Sequence, residues 1–219
     1  MTQGTGAVAT ENFRAARDQL LALRGEHAQA VAEFAFPDVG PTFCWAIDWF
    51  DAIARGNSRP ALVIIEEDGA STSLSFDALA ARSDRVAAWL AARGVGRGDA
   101  VILMLGNQVE LWDCMLAVMK LGAVIVPTTT AVGTSDLVDR IDRARATTII
   151  TNPDQTHKLD GIAEGVLRVS VGEVGGWENV HAAYLVDVPA TVHPGTGPDD
   201  PLLLYFTSGT TSRPKLVEH

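Results

Sequence analysis

Late in the chain an apolar run, Leu202-Leu203-Leu204-Tyr205-Phe206, empties into Thr207, Ser208, Gly209, Thr210 and Thr211, with Pro214 and Lys215 close behind. The run has the length and composition of a short buried strand. The residues after it have the chemistry that a polyphosphate requires. Glycine lets backbone amides approach, hydroxyls donate hydrogen bonds, and a lysine supplies a mobile positive charge. A Walker-type loop, G-x-x-x-x-G-K-[ST], is excluded even though Gly209 and Lys215 have its spacing. The positions that need a glycine and a magnesium-binding hydroxyl hold Pro214 and Leu216. A Ser/Thr-rich surface turn is the plainer reading. The full string T-S-G-T-T-x-x-P-K directly behind an apolar strand is far more restrictive than a cluster of hydroxyls.

The elements that must position such a loop read as alternating strands and helices. Residues 11–33 form an Ala-rich helix with Thr10 as its cap, and residues 1–10 are small, polar and loose. A second helix covers 45–54. Residues 61–65 and 72–74 flank Glu67-Asp68-Gly69, a hairpin turn signal. Ser75 then caps an amphipathic helix with Phe76, Leu79, Val86 and Leu90 on one face, and Gly94 stops it. Strands follow at 100–105, 123–126, 147–151 and 166–171, with helices at 109–121 and 134–145 and a weaker one at 154–163. Short all-apolar strands between helices imply parallel βαβ units buried on both faces. The fold class is therefore α/β, a parallel βαβ sheet with flanking helices. The segment 188–201, with Pro189, Pro194, Pro198 and Pro201, reads as an exposed linker into the final strand.

Composition fits a globular protein, with 47% hydrophobic and 20% charged residues over 219 positions. Acidic residues outnumber basic ones 27 to 17, for a formal charge of −10. Nucleic acid would be repelled, and no Lys/Arg-rich run offers a local exception. Cys44 and Cys114 lie far apart without metal-ligand spacing and read as two buried thiols. The histidines, His27, His157, His181, His193 and His219, show no H-x-x-x-H pairing, so no metal site is expected. No apolar stretch approaches the ~20 residues of a membrane span, and no targeting signal is evident, so a soluble, cytoplasmic protein is expected.

Several other residues have a chemical and a structural reading. Trp45, Trp49 and Trp112 could line an apolar ligand pocket, but aromatics at helical spacing usually belong to a core. Asn107 lies between a strand and a helix, where it could touch a ligand, although a helix cap is the simpler role.

The stretch Phe206–Lys215 resembles the phosphate-binding signature of the adenylate-forming superfamily, [YF]-[TS]-S-G-[ST]-[ST]-G-x-P-K. Ser212 departs from it, standing where the family mostly has Gly. The likeness extends through Phe43–Asp51, Gly96-Arg-Gly-Asp99, Glu110-Leu-Trp112 and Leu121–Pro127, so it spans nearly the whole chain from about Phe34. Leu216-Val217-Glu218-His219 resembles the medium-chain acyl-CoA synthetase branch. The residue aligned with a polar CoA contact of that branch is Ala131, so that contact is not carried over.

The resemblance implies the first subdomain of the large N-terminal region of an adenylating enzyme. Residues 1–33 would be a helical extension, 34–187 the α/β subdomain, 188–201 a linker, and 202–219 the strand and loop that begin a second subdomain. It implies an AMP-forming acid–thiol ligase of fatty acid metabolism that uses ATP, Mg2+ and CoA on a short- or medium-chain carboxylic acid. Thr207, Ser208, Gly209, Thr210, Thr211 and Lys215 would hold the ATP phosphates. The adenine and ribose contacts would lie beyond His219, so the chain alone is expected to be a catalytically inactive fragment, prone to self-association. The alternatives are a natural non-catalytic binding or regulatory module, an acyl-AMP ligase, or a peptide-synthetase adenylation domain.

Overall fold

The computed structural model describes residues 3–162, 164–207 and 214–219. Helix α1 (Gln3–Ala22) turns through Gly25, at φ +92°, into α2 (His27–Glu33). The single helix expected over 11–33 is therefore two helices, because the chain reverses at a glycine able to take a left-handed conformation. Residues 3–10, expected to be loose, belong to α1. Thr10 lies within that helix instead of capping it, and its hydroxyl donates to the Asp48 carbonyl at 2.5 Å. Phe13 stacks on Phe43 and packs against Trp49, which seats α1 on the body of the protein.

A π-helical turn (Trp45–Asp51) runs into α3 (Ala52–Ala54). Strands β1 (Pro60–Ile65) and β2 (Ser71–Ser75) form the expected antiparallel hairpin. Ser75 Oγ accepts from the Ala78 amide at 3.1 Å and caps α4 (Phe76–Ala91). The alternating part then follows as β3 (Ala100–Met104), α5 (Val109–Lys120), β4 (Val124–Pro127), α6 (Thr134–Ala144) and β5 (Ala146–Thr151). A 3-10 helix (Pro153–Leu159) stands where a weak α-helix was expected, and β6 (Leu167–Ser170) follows it. The short β7 (Glu178–Asn179), a 3-10 helix (Val180–Leu185) and the last strand complete the molecule without having been anticipated. That last strand, β9 (Lys215–Glu218), pairs antiparallel with β8 (Leu204–Thr207).

The central sheet has the order β4-β3-β5-β6-β7 and is parallel throughout, the arrangement of a doubly wound α/β fold. All five residues of β3 are buried, and alternate side chains serve opposite faces. Val101 and Leu103 pack with α4 and α5, whereas Ala100, Ile102 and Met104 pack with α6 and Phe206 of β8. On the first face Tyr184 Oη donates to Asp113 Oδ2 at 2.7 Å, and Arg82 reaches the same oxygen at 2.6 Å. These bonds hold the 180–185 helix against α4 and α5.

Lys120, the last residue of α5, is fully buried. Its ammonium lies 2.8 Å from Asp84 Oδ1 of α4 and makes a 2.9 Å ion-pair contact with Asp51 Oδ1 of the π-helical turn. Arg55 bridges the same two carboxylates at 2.6 and 2.5 Å. Burial alone would raise the Asp84 carboxyl, but Lys120, Arg55 and the Thr191 amide outweigh it and hold Asp84 below its ordinary value. At Asp51 burial prevails, and the carboxyl is raised despite the same two cations.

Segment 188–201 has no regular structure and is half-buried to exposed, but it is tied to the body of the protein by side-chain hydrogen bonds. Thr191 binds Asp84 through amide and hydroxyl at 3.1 and 2.9 Å. Gly195 N donates to His193 Nδ1, which leaves Nε2 to donate to Asp48 Oδ2 at 2.9 Å. Thr196 Oγ1 donates to the Phe43 carbonyl at 3.0 Å. The strap crosses Gly122 so closely that a Cβ there would lie 2.8 Å from Thr196 Cγ2.

Asp84→Asn should destabilise the chain by about 3–5 kcal/mol, because it leaves the buried Lys120 ammonium with one carboxylate fewer. Asp51→Asn should cost less, since burial already works against the Asp51 charge and Asp84 alone also accepts from Thr191. Urea denaturation reads the ordering. Since the folded Asp84 carboxyl titrates below its unfolded value, its stabilisation is present above the unfolded value and fades as pH falls through the folded one. The gap between wild type and Asp84→Asn should therefore narrow in acid.

Candidate functional site

The apolar run before the hydroxyl-rich loop becomes β8. It joins the central sheet at the β4 edge through a single parallel bridge, Ile125 to Leu203, with Ile125 N donating to Leu202 O at 2.9 Å. The β8–β9 ladder is then closed at its far end by His219, whose carbonyl accepts from the Leu202 and Leu203 amides. Leu204, Phe206 and Leu216 sit in the core beside α6, with Phe206 buried. Tyr205, one residue out of phase, is exposed.

Thr207 and Lys215 are the last paired residues of the ladder and face each other across its open end. Ser208, Gly209, Thr210 and Thr211 lie outside the described residues. The hairpin therefore brings the two ends of the motif together, a half-buried hydroxyl opposite an exposed ammonium. Among the described residues Lys215 makes no ion pair, so its charge is open to an anion. A threonine and a lysine at the neck of a loop supply donors and positive charge, a donor set that suits phosphate oxygens. Among the described residues no cluster of His, Cys, Asp and Glu could hold a metal.

Two features near the loop were not read from the sequence. The α6 arginines Arg140 and Arg143 lie over the Phe206 ring, with guanidinium carbons 4.4 and 5.1 Å from its centroid. Arg143 also donates to the Pro214 carbonyl at 2.9 Å. Their i, i+3 spacing on the edge of an amphipathic helix was visible, but the partner strand was not.

Other candidates sort by burial. Trp49 is core, whereas Trp45 and Trp112 are partly exposed. Asn107 is not the cap of α5; Gln108 holds that position, and Asn107 accepts from Trp112 Nε1 at 3.4 Å. Trp45 instead lines an apolar cavity of about 390 Å³ with Phe13, Phe43, Cys44, Met119 and Leu202. Leu202 lies two residues before β8 and Thr207 ends it, so along extended chain this cavity lies roughly 16 Å from the loop. It is a separate space from the phosphate-type site.

Residues 49–219 match the family described as AMP-binding enzyme. The chain belongs to that family. It is 35% identical over 170 residues to the human mitochondrial acyl-coenzyme A synthetase ACSM5, covering 74% of this chain and 29% of that protein. It is 32% identical over 176 residues to a fatty acid–[acyl-carrier-protein] ligase, MmaC, of Mycobacterium marinum, covering 75% of this chain and 32% of that protein. Among solved structures, the Brucella canis acyl-CoA synthetase superposes with a TM-score of 0.74 at 27% identity, over 87% of this chain and 37% of that one. The N-terminal domain of FACL13 from Mycobacterium tuberculosis shares the fold, with a TM-score of 0.64 over 82% of this chain and 44% of that one at 24% identity. The chain thus spans about a third of the length of the curated relatives it matches. Among the described residues no helix is long and apolar enough to cross a membrane. The human relative is mitochondrial, and a cytoplasmic location does not follow from the similarity.

Both thiols are buried, and burial pushes Cys44 up to about 11 and Cys114 higher still. At neutral pH neither should react readily with a thiol-specific reagent in the folded chain. Cys44, on the cavity wall, should be modified before Cys114, a sequence that peptide mass mapping over time would read.

Proposed function

We propose that this chain supplies the phosphate-binding part of an ATP-dependent carboxylate–CoA ligase. The observation that carries the reading is the pairing of Thr207 with Lys215 at the neck of a signature loop, in a chain that belongs to the AMP-binding enzymes. In this reaction a carboxylate oxygen attacks the α-phosphorus of ATP. A new C–O–P linkage forms as the bond to the pyrophosphate breaks. The thiol of CoA then attacks the acyl carbon and AMP leaves, giving the thioester.

The chain's own groups act on the first step. Thr207, Ser208, Thr210 and Thr211 would donate to β- and γ-phosphate oxygens, Gly209 would let the backbone approach, and Lys215 would offset charge growing on the departing pyrophosphate. Magnesium would share that charge from the phosphate side. Since no described cluster is built to hold a cation, no residue of this chain is assigned to it. Within the protein, residues 34–187 would be the α/β subdomain and 202–219 the start of the next, with 188–201 joining them. A short- or medium-chain acid is the substrate class favoured by the likeness of residues 216–219 to the medium-chain branch.

A second reading changes only the acceptor. The likeness to an acyl-carrier-protein ligase favours transfer of the acyl group to a carrier-bound thiol in place of CoA.

Carboxylate-dependent exchange of pyrophosphate into ATP, assayed on the longest polypeptide that carries this chain, tests the first step. Lys215→Ala should slow it ~10²-fold, the scale of one lost transition-state contact. Unchanged exchange in that variant would remove Lys215 from the mechanism. Thioester formation with CoA but not with a carrier protein would settle the acceptor in favour of the first reading.

A further inference from the structure

The ladder that carries the loop is weakly founded. Its two strands have four residues each, and one bridge joins them to the central sheet. An isolated hairpin of that size is marginal in water. Pro214, just beyond the last ladder pair, has no amide hydrogen to extend the pairing, and its carbonyl would be left without a strand partner. Arg143 of α6 supplies that partner at 2.9 Å, while Asp139 Oδ2 holds the same guanidinium nitrogen at 3.0 Å. The guanidinium carbon also lies over the ring of Phe206, on the other strand. One side chain therefore grips the residue before Thr207 and the residue before Lys215.

We propose that Arg143 is a positioning residue for the phosphate loop. It clasps both ends of the loop to α6, so that Thr207 and Lys215 are presented together to one polyphosphate. Arg140, stacked on the same ring at 4.4 Å, braces Phe206, and among the described residues no hydrogen bond joins it to the second strand. The role rests on the ligase reading above, whereas the clasp itself is a property of the hairpin.

Hydrogen exchange on this chain tests the clasp. In Arg143→Ala the amides of Leu204–Thr207 and Lys215–Glu218 should exchange about tenfold faster or more, the scale of one lost charged hydrogen bond. Those of β3 and β5 should stay as protected as in wild type, which excludes general unfolding. Arg143→Lys, which can still donate to the Pro214 carbonyl, should restore most of the protection. Unchanged hairpin exchange in Arg143→Ala would overturn the clasp and leave the ligase reading standing.

Steady-state exchange assays on the longest polypeptide test the positioning. Arg143→Ala should raise KM for MgATP about tenfold with KM for the acid unmoved, and Arg143→Lys should recover it. A fall in kcat no larger than the loss of folded protein, with KM for MgATP intact, would mark a merely structural residue and overturn the role. An inactive wild type would remove the ligase reading and the positioning role with it, while the hydrogen-exchange result would still decide the clasp.

Discussion

A fully buried ammonium sets the terms for the rest of the molecule. Lys120 at the end of α5 cannot be left unpaired away from water, because an uncompensated buried charge costs several kcal/mol. It therefore draws Asp84 from α4 and Asp51 from the π-helical turn into one place. Asp84 in turn accepts from Thr191, so the strap 188–201 is tied to the same cluster. From there the strap runs past Gly122 and delivers the chain to the β4 edge, where β8 begins. The line from buried charge to strap and from strap to strand explains why the hairpin at the margin of the sheet has a defined place.

Two physical regimes hold the site. The sheet is apolar and self-sufficient, with alternate β3 side chains feeding cores on both faces. The hairpin that bears the phosphate-type loop depends on Phe206 in one of those cores and on polar contacts from α6. A rigid scaffold under a marginally anchored hairpin is a common arrangement at binding sites, since elements that meet ligands are often drawn from the less stable end of a structure.

Much of the fold was legible in the sequence. The all-apolar stretches at 100–105 and 123–126 read as strands buried on both faces and lie within a residue of β3 and β4, while Ser75 and Gly94 mark the cap and stop of α4 and Gly69 the turn of the first hairpin by local chemistry. The prolines in 188–201 announced an irregular segment but not its attachment, because proline excludes regular structure without excluding side-chain hydrogen bonds from its neighbours. His193, Thr191 and Thr196 gain partners more than a hundred residues away, which no local pattern announces. The short β7 and β9 escaped because two residues carry no periodicity and Lys215-Leu216-Val217-Glu218 has only two apolar residues between charged ends. At the site, the motif named Thr207 and Lys215 at once. Arg143 was silent, because its importance comes from a carbonyl 71 positions further on.

The central claim is that polyphosphate is held between the paired ends of the β8–β9 hairpin. Amide chemical shifts of the isotope-labelled chain during titration with magnesium pyrophosphate test it most directly. Changes should concentrate in residues 207–215 and extend into Phe206 and Leu216, with the carboxyl ends of β3, β5 and β6 unmoved. Changes centred instead on residues 105–108 and 151–155, with the hairpin silent, would place the anion in the crevice at the carboxyl end of the sheet and contradict the account.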